Sequence, residues 1–220
     1  MKFNRRTEII TFAFIAAAFT FGVISWGVVP DQVPIHWNMA GEPDGYGSKF
    51  FNLLLMPIVA LGFYFLFLWL PGLDPKKENY QRMRGTYSVV RMVVVIYMSL
   101  FGILLTLLAR GVDLKVELVV PMMVGALFII LGNYFGKLRP TWFVGIRTPW
   151  TLSSDESWNK THKLGGRVFV AMGIGLMLAG IIGTGWAFTA VMAAGGAGIA
   201  YTIFYSYLVW KADPDKKVLP

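Results

Sequence analysis

The chain's two histidines, His36 and His162, lie in two separate polar segments and are its first candidates for chemistry. In the first segment, His36 is followed within eight residues by Glu42 and Asp44. Imidazole and carboxylate groups both bind metal ions, but the helical His-Glu-x-x-His spacing of a metalloprotease is absent. Three interpretations stay open: a compact outer loop, a surface that binds a peptide or a lipid, or a weak metal site at His36, Glu42 and Asp44. The candidate binding residues are His36, Trp37, Asn38, Glu42, Asp44 and Lys49.

The second polar segment covers residues 137–167 and contains three Trp and two Pro within a basic loop. Ser153 or Ser154 is expected to cap a short helix, because two acidic residues follow and suit its first turn. Trp158 and His162 would then share one helix face, four residues apart. A catalytic site built from Ser153, His162 and Asp155 is conceivable, but nothing resembles a nucleophile elbow. We therefore expect no catalytic residues and no enzyme. The candidate binding residues are Asn133, Arg147, Thr148, Pro149, Trp150, Trp158 and His162.

The elements that must position these segments are membrane-spanning helices. Hydrophobic residues make up 56% of the 220 and charged residues only 15%, with a mean hydropathy of +0.59. A spanning helix needs roughly 20 apolar residues. Six segments qualify, at residues 9–29, 51–70, 89–109, 118–135, 168–185 and 186–210. The last two form one uncharged run, which we expect to break at the Gly-Thr-Gly-Trp sequence of residues 183–186.

These segments predict an all-α integral membrane protein, a bundle of six transmembrane helices in a single domain over residues 1–220. The motif loops are residues 28–50, with a turn predicted at the Pro-Asp-Gly run 43–45, and residues 137–167. Of the 20 Lys and Arg residues, 17 fall on the side of both termini and of the second and fourth loops. Positive charge is retained in the cytoplasm, so we predict both termini and the 137–167 loop inside and the 28–50 loop outside. The net charge of +8 is explained in this way, and no direct nucleic-acid partner is expected.

The predicted spans contain few polar groups. No ionisable residue lies in the middle of a span, which argues against an ion-coupled transporter, and Arg91 and Arg167 lie near helix ends, where they can snorkel. Asn133 is expected to make an interhelical hydrogen bond. The chain has no cysteine, which excludes disulfides and thiolate metal sites, and we expect no cofactor. A small-solute channel or transporter, and a membrane-embedded enzyme using the loop of His36 and Asp44, remain as alternatives.

Small residues recur every four positions in the last two spans. Because residues four apart share a helix face, we expect two ladders to face each other in a tight hairpin. The ladders are Ala171, Gly175, Ala179 and Gly183 in the fifth span and Ala190, Ala194, Gly198, Thr202 and Ser206 in the sixth.

The polar segments also carry a resemblance to a known family. The sequence around the second segment resembles the signature of the SdpI family of bacterial membrane immunity proteins. The first segment is similar to a domain of unknown function that precedes this signature in many members. The residues that carry the resemblance are Gly132, Asn133, the run 145–152 (Gly-Ile-Arg-Thr-Pro-Trp-Thr-Leu), Trp158, Thr161, His162 and Gly165, with the pattern Pro-x-His-Trp-Asn-x-x-Gly-x-Pro-Asp-Gly-x-x-Ser-Lys over residues 34–49.

The resemblance implies a multi-pass protein of the prokaryotic cell membrane that protects the cell from a secreted antimicrobial peptide toxin. It further implies signalling, in which a repressor protein is sequestered at the membrane when toxin is present. The partners to expect are therefore membrane lipids, a peptide toxin outside and a repressor inside. The family supplies no catalytic residues to carry across.

Overall fold

The computed structural model of the protein describes residues 4–38 and 40–216. A π-helical turn, Phe51–Leu55, runs directly into the second long helix. The remaining elements, in chain order, are α1 (Arg5–Ser25), β1 (Gln32–Trp37), β2 (Pro43–Ser48), α2 (Met56–Leu73), α3 (Lys77–Arg82), α4 (Arg84–Ala109), α5 (Val116–Phe135), α6 (Pro149–Ser153), α7 (Asp155–Ile182) and α8 (Gly185–Ala212).

Six helices are long and apolar enough to cross a membrane, counting the π-helical turn with α2, and they confirm the six predicted spans. The predicted break between the last two is also confirmed, because α7 ends at Ile182 and Gly183 adopts a left-handed conformation with φ of 68°. Glycine tolerates that conformation without steric cost. The predicted cap is Ser154, whose hydroxyl accepts a hydrogen bond from the Ser157 N–H. It starts the whole of α7 rather than a short helix.

The long helices form two groups of three. In the first group, α4 packs against α1 and α2, and in the second, α7 packs between α5 and α8, while α4 and α5 join the groups. The backbones of α5 and α7 approach each other closely. A Cβ atom added to Gly132 would lie 2.6 Å from the Gly166 carbonyl oxygen, and one added to Gly125 would lie 2.5 Å from the Gly173 carbonyl oxygen. Glycine is needed there because any side chain would push the two helices apart.

The prediction of two facing small-residue ladders in α7 and α8 is wrong. Gly175 faces the Val191 side chain and Gly198 faces the Val168 side chain, so small residues meet branched ones. Ala190 and Ala194 are exposed on the outside of α8. Spacing by four identified which residues share a helix face, but it could not identify the neighbouring helix that the face meets.

The bundle has two ends that differ in structure. The hairpin end holds β1 and β2, the 110–115 loop and the turn between α7 and α8. The loop end holds the beginning of α1, residues 74–83, the 137–154 segment and residues 213–216. A buried cluster at the loop end joins the two helix groups, with Tyr80, Met83 and Tyr87 from the first and Leu138 and Trp158 from the second.

The 28–50 segment is a two-stranded antiparallel hairpin, which the sequence did not predict. Gln32 pairs with Ser48 and Trp37 with Pro43, with register irregularities on either side of His36. The predicted turn at the Pro-Asp-Gly run 43–45 is therefore wrong, because these residues open β2, and Asn38 and Glu42 are already hydrogen-bonded to each other before it. Proline is tolerated as the first residue of a strand, where its missing N–H is not needed.

Arg91 does not snorkel as predicted. Its side chain is fully buried and its guanidinium makes a salt bridge to the Glu8 carboxylate of α1. Tyr64 of α2 donates a hydrogen bond of 2.6 Å to the same carboxylate, and its ring lies 5.1 Å from the guanidinium carbon. Three helices of the first group therefore meet at one ion pair, in which Arg91 is buried and Glu8 is partly exposed. A charge inside a membrane protein is expected to pair in this way.

Candidate functional sites at the two ends of the bundle

The turn of the hairpin is built by Asn38. Its side-chain oxygen accepts hydrogen bonds from the N–H groups of Ala40 and Glu42, at 2.9 and 3.0 Å, and its amide donates to the Glu42 carboxylate at 3.1 Å. Gly41 has a φ of 79°, which favours glycine. Asn38 and Glu42, both predicted as binding residues, therefore hold the turn in shape.

His36 and Asp44 lie on the surface of the hairpin and contact each other. The Nδ1 atom of His36 is 2.5 Å from an Asp44 carboxylate oxygen, and the two side chains are 72% and 45% exposed. Glu42 bonds to Asn38 instead of joining them. Within residues 4–38 and 40–216, no group of three or more histidine, cysteine, aspartate or glutamate residues could hold a metal ion. The hairpin thus presents an exposed imidazole–carboxylate pair.

Lys49 anchors the end of β2. Its ammonium group lies 2.8 Å from the Asp31 carboxylate and 5.2 Å from the centre of the Trp26 ring. The hydrogen bond from Lys49 and its positive charge lower the pKa of Asp31 below the ordinary value of 3.8. The predicted binding residue Lys49 therefore ties the hairpin to the end of α1.

The hairpin is seated on the bundle by apolar and polar contacts. Val33 is buried with Val29 and Leu53, and the Asn52 amide donates a 3.0 Å hydrogen bond to the Pro34 carbonyl. Trp37 lies over two apolar cavities, one of about 200 Å³ toward α7 and α8 and one of about 440 Å³ toward α4. The exposed pair of His36 and Asp44 therefore stands above an apolar recess.

At the loop end, the predicted residue Thr148 caps α6. Its hydroxyl accepts a hydrogen bond from the Thr151 N–H, and the Thr151 hydroxyl accepts one from the Thr148 N–H, which makes a reciprocal capping box. Pro149 takes the first helical position, where its missing N–H costs nothing. Thr148 is also 3.1 Å from the Ser206 hydroxyl of α8. The Thr-Pro-Trp-Thr run is therefore a helix start whose two buried threonines hold it together and whose Thr148 contacts the last span.

Trp158 and His162 share a face of α7, as predicted, and stack with ring centres 4.0 Å apart. Both are buried, at 0% and 1% exposure. The indole N–H of Trp158 donates to the Leu138 carbonyl at 2.8 Å. Nε2 of His162 accepts the Ile146 N–H at 2.8 Å, so the ring carries its proton on Nδ1, which donates to the Trp158 carbonyl. This imidazole is neutral and hydrogen-bonded at both ring nitrogens, so it holds the loop in place rather than acting as a base.

Gly145 is required by the same packing. Its φ is 117°, and a Cβ atom there would lie 2.4 Å from His162 Nε2 and 3.0 Å from the Trp158 ring. The backbone of the loop can approach the two stacked rings only because this position has no side chain.

Two buried aspartates, which sequence reasoning missed, also organise the loop end. Asp74 accepts hydrogen bonds from the Tyr80 hydroxyl at 2.9 Å and the Trp142 N–H at 2.8 Å. Burial, together with the bond to Asp74, raises the pKa of Tyr80. Asp213 accepts the Ser154 hydroxyl at 2.5 Å, which lowers the pKa of Asp213.

Both aspartates precede a proline at the end of a long helix, and that Asp-Pro pair is the signal from which they could have been found. Each accepts the N–H of the residue two positions later, Lys76 or Asp215. An Asp-Pro pair ends a helix because proline restricts the residue before it, and the carboxylate then caps the following turn.

The other predicted residues of the loop end are less buried. Arg147 is exposed and donates to the Trp142 carbonyl at 2.7 Å, and Trp150 packs edge-on against Tyr207 of α8. Asn133 donates to Ile129 of its own helix at 2.8 Å and is exposed, so the predicted interhelical hydrogen bond is wrong. The structure therefore brings Thr148, Trp158 and His162 into one buried network and leaves Arg147, Pro149 and Asn133 on the surface.

The six apolar helices, closed at one end by a hairpin and at the other by a buried polar loop, define a multi-pass helical protein of the cell membrane. Comparison with known proteins finds two family models that each match part of the chain. The model of the SdpI/YfhL protein family matches residues 137–206, and the model of a domain of unknown function, DUF1648, matches residues 13–61. The resemblance to the SdpI family that the sequence predicted is thereby confirmed. The two matches take in the loop end and the hairpin, respectively.

Two curated relatives come from Bacillus subtilis (strain 168). The chain is 23% identical to "Immunity protein SdpI" over 168 residues, which are 76% of this chain and 78% of the relative. It is 24% identical to "Uncharacterized membrane protein YbgB" over 82 residues, which are 37% of this chain and 80% of that relative. No solved structure matches the chain significantly. The first of these relatives is thus named as an immunity protein.

Proposed function

We propose that this chain is an SdpI-like immunity protein that protects its membrane from a secreted antimicrobial peptide toxin. The observation that carries the proposal is the similarity to Immunity protein SdpI over more than three quarters of both chains. Kinship of fold alone would not fix a function. Here the similarity covers 168 of the 220 residues of the chain.

The hairpin is the proposed face for the toxin. The distribution of Lys and Arg favours the hairpin end outside and the loop end in the cytoplasm. A toxin that attacks the membrane from outside would then meet the exposed His36 and Asp44 pair first. Polar side chains can bind its backbone and charges, and the apolar recess below Trp37 suits its apolar side chains.

Protection can be measured in a Bacillus subtilis strain that lacks Immunity protein SdpI. The strain would express this chain and be challenged with the toxin against which SdpI protects, with SdpI and an empty vector as references. We expect survival well above the empty vector. Survival equal to the empty vector, with the chain present in the membrane in amounts equal to SdpI, would contradict the proposal for that toxin class.

The orientation can be tested separately, because the chain has no cysteine of its own. Single substitutions Tyr46→Cys in the hairpin and Lys77→Cys at the loop end place a thiol at an exposed position on each side. A membrane-impermeant maleimide should label the first in intact cells and the second only after lysis. Labelling of both in intact cells would overturn the orientation.

We further propose that the loop end sequesters a repressor protein when toxin is bound. In support, Trp142 and Phe143 are exposed at 50% and 40% beside the exposed Arg147. A toxin that bound one conformation of the bundle better would shift the population at both ends. Arg147→Ala and Trp150→Ala should protect like the unchanged chain but fail to raise expression from a reporter under the repressor. Normal induction by both variants would contradict this role.

A further inference from the structure

One groove of the molecule lies outside both motif surfaces and combines positive charge with an apolar floor. It runs between α5 and α7 at the loop end and has a volume of about 500 Å³. Lys163 and Arg167 of α7 and Asn133 of α5 line its upper part. Val170, Ala171 and Ile174 line its lower part, toward the middle of the bundle.

The groove exists because α5 and α7 meet through glycine. Gly132 and Gly166 touch backbone to backbone, and Gly136 places no side chain against Lys163. Larger residues at these positions would fill the space between the two helices. The close contact therefore leaves an open groove along the outer edge of the helix pair.

Two positive charges line this groove without a carboxylate. In the part of the chain that the structure describes, neither Lys163 nor Arg167 makes a salt bridge or a side-chain hydrogen bond. The neighbouring Lys160, by contrast, is neutralised by Glu156 at 2.6 Å. Asn133 donates one amide N–H to Ile129 and has a second N–H available. Three side chains of the groove wall, those of Lys163, Arg167 and Asn133, can therefore donate hydrogen bonds.

The position of Arg167 on α7 favours an anion close by. Because Gly166 touches Gly132, Arg167 lies beside the last turn of α5, which ends at Phe135. The same α7 face continues with exposed apolar residues, Ala171, Ile174 and Leu178, at the spacing of one helix side. A lipid-facing cation at this depth is costly unless an anion offsets it.

We propose that this groove binds the phosphate of an anionic phospholipid, with one acyl chain lying along the apolar part of the α7 face. Lys163, Arg167 and Asn133 donate to the phosphate oxygens, and a basic pocket between spanning helices is suited to such a headgroup. The apolar lower part of the groove selects a lipid over a free phosphate ion, because only a lipid covers it. The inference is independent of the proposed immunity function.

The test is lipid binding to the purified full-length chain in neutral detergent, by native mass spectrometry and thermal unfolding. The probes are phosphatidylglycerol, phosphatidylcholine and inorganic phosphate. We expect phosphatidylglycerol to bind roughly tenfold more tightly than phosphatidylcholine and to raise the unfolding temperature. Inorganic phosphate at the same concentration should do neither. Equal binding of the two lipids, or equal stabilisation by inorganic phosphate, would overturn the proposal.

Four variants test whether the lipid preference depends on the groove. Lys163→Gln with Arg167→Gln should lose the tenfold preference, whereas the matched pair Lys77→Gln with Arg84→Gln, exposed at the same end but outside the groove, should keep it. Lys163→Arg with Arg167→Lys keeps both charges and should keep the preference. Ala171→Phe fills the acyl path without changing charge and should weaken lipid binding. If Lys163→Gln with Arg167→Gln kept the preference, or if Ala171→Phe bound the lipid as tightly as the unchanged chain, the lipid would bind elsewhere.

Discussion

His36 and His162, the two histidines of the chain, lie at opposite ends of the bundle and in opposite environments. His36 pairs with Asp44 on the surface of a two-stranded hairpin, with its side chain 72% exposed. His162 is 1% exposed, stacks on Trp158 and bonds to two backbone groups through its two ring nitrogens. One histidine can be reached by a partner, whereas the other holds a loop in place.

The contrast is between an exposed surface that a partner can contact and a buried segment that stabilises the fold. The Gly-Ile-Arg-Thr-Pro-Trp-Thr-Leu run, on which the family resemblance rests most heavily, mainly makes a helix cap, a turn around a stacked ring pair and bonds to α8. The residues that identify the family are therefore mostly not the residues that are exposed to a partner. Exposed side chains are found on the hairpin and, within the 137–154 segment, at Arg147 and its aromatic neighbours Trp142 and Phe143.

The largest difference between the ends should appear on truncating Trp158. Its side chain is fully buried in the cluster that joins the two helix groups, and its N–H is bonded. Trp158→Ala should reduce the free energy of unfolding by about 3 kcal/mol or more and deplete folded protein in the membrane. Trp142→Ala, at the same end but 50% exposed, is the control and should change stability little. Thermal unfolding in detergent measures both, and equal losses would contradict the assigned packing.

A smaller effect is expected from the matched histidine pair. His162→Ala leaves the buried Ile146 N–H without its acceptor and removes a stacked ring, so it should cost about 2 kcal/mol of stability. His36→Ala removes only an exposed pair and should cost about 0.5 kcal/mol or less. The two variants differ from the unchanged chain by the same chemical group. If His36→Ala were the more destabilising, the hairpin would be part of the core rather than a surface.

The smallest effect concerns pH and the carboxylates Asp213 and Asp31. The pKa of each is lowered in the folded state, by the Ser154 hydroxyl and by Lys49 respectively, so each ionised form stabilises the fold above the ordinary pKa of 3.8. That stabilisation is lost as the pH falls through the lower, folded pKa. The stability difference between the unchanged chain and Asp213→Asn should be constant from pH 5 upward and shrink toward pH 3.

Asp31→Asn provides the comparison at the hairpin end. The Asp31 side chain is 90% exposed, so solvent and salt screen its bond to Lys49 and its pH-dependent difference should be smaller. Unfolding curves across pH at low and moderate salt measure both differences. A larger or more salt-resistant effect at Asp31 would reverse the expected ranking of the two ends.

The six spans were predictable because a bilayer demands about 20 apolar residues in each, and the break at Gly183 because glycine marks it. The Ser154 cap and the shared face of Trp158 and His162 were predictable because they follow from local spacing. The hairpin was not, because its strands contain Pro34, Pro43 and glycines that are typical of turns.

Contacts between distant parts of the chain were also out of reach. Glu8 and Arg91 are 83 residues apart, and nothing local indicates that α1 brings a carboxylate to α4. For Asn133, a contact between helices was predicted where none exists. A polar residue in a span suggested a hydrogen bond to a neighbouring helix, but Asn133 donates to the backbone of its own helix. Periodicity identifies helix faces, whereas pairing of faces depends on how the whole bundle packs.

The central proposal, that the hairpin recognises the toxin while the buried residues of the loop end support the fold, is tested most directly by one double variant. His36→Ala with Asp44→Ala removes the exposed pair, and toxin survival would be measured per amount of folded protein in the membrane. We predict unchanged protein level and unfolding temperature with protection lost or greatly reduced. Full protection by this variant at an unchanged protein level would contradict the account.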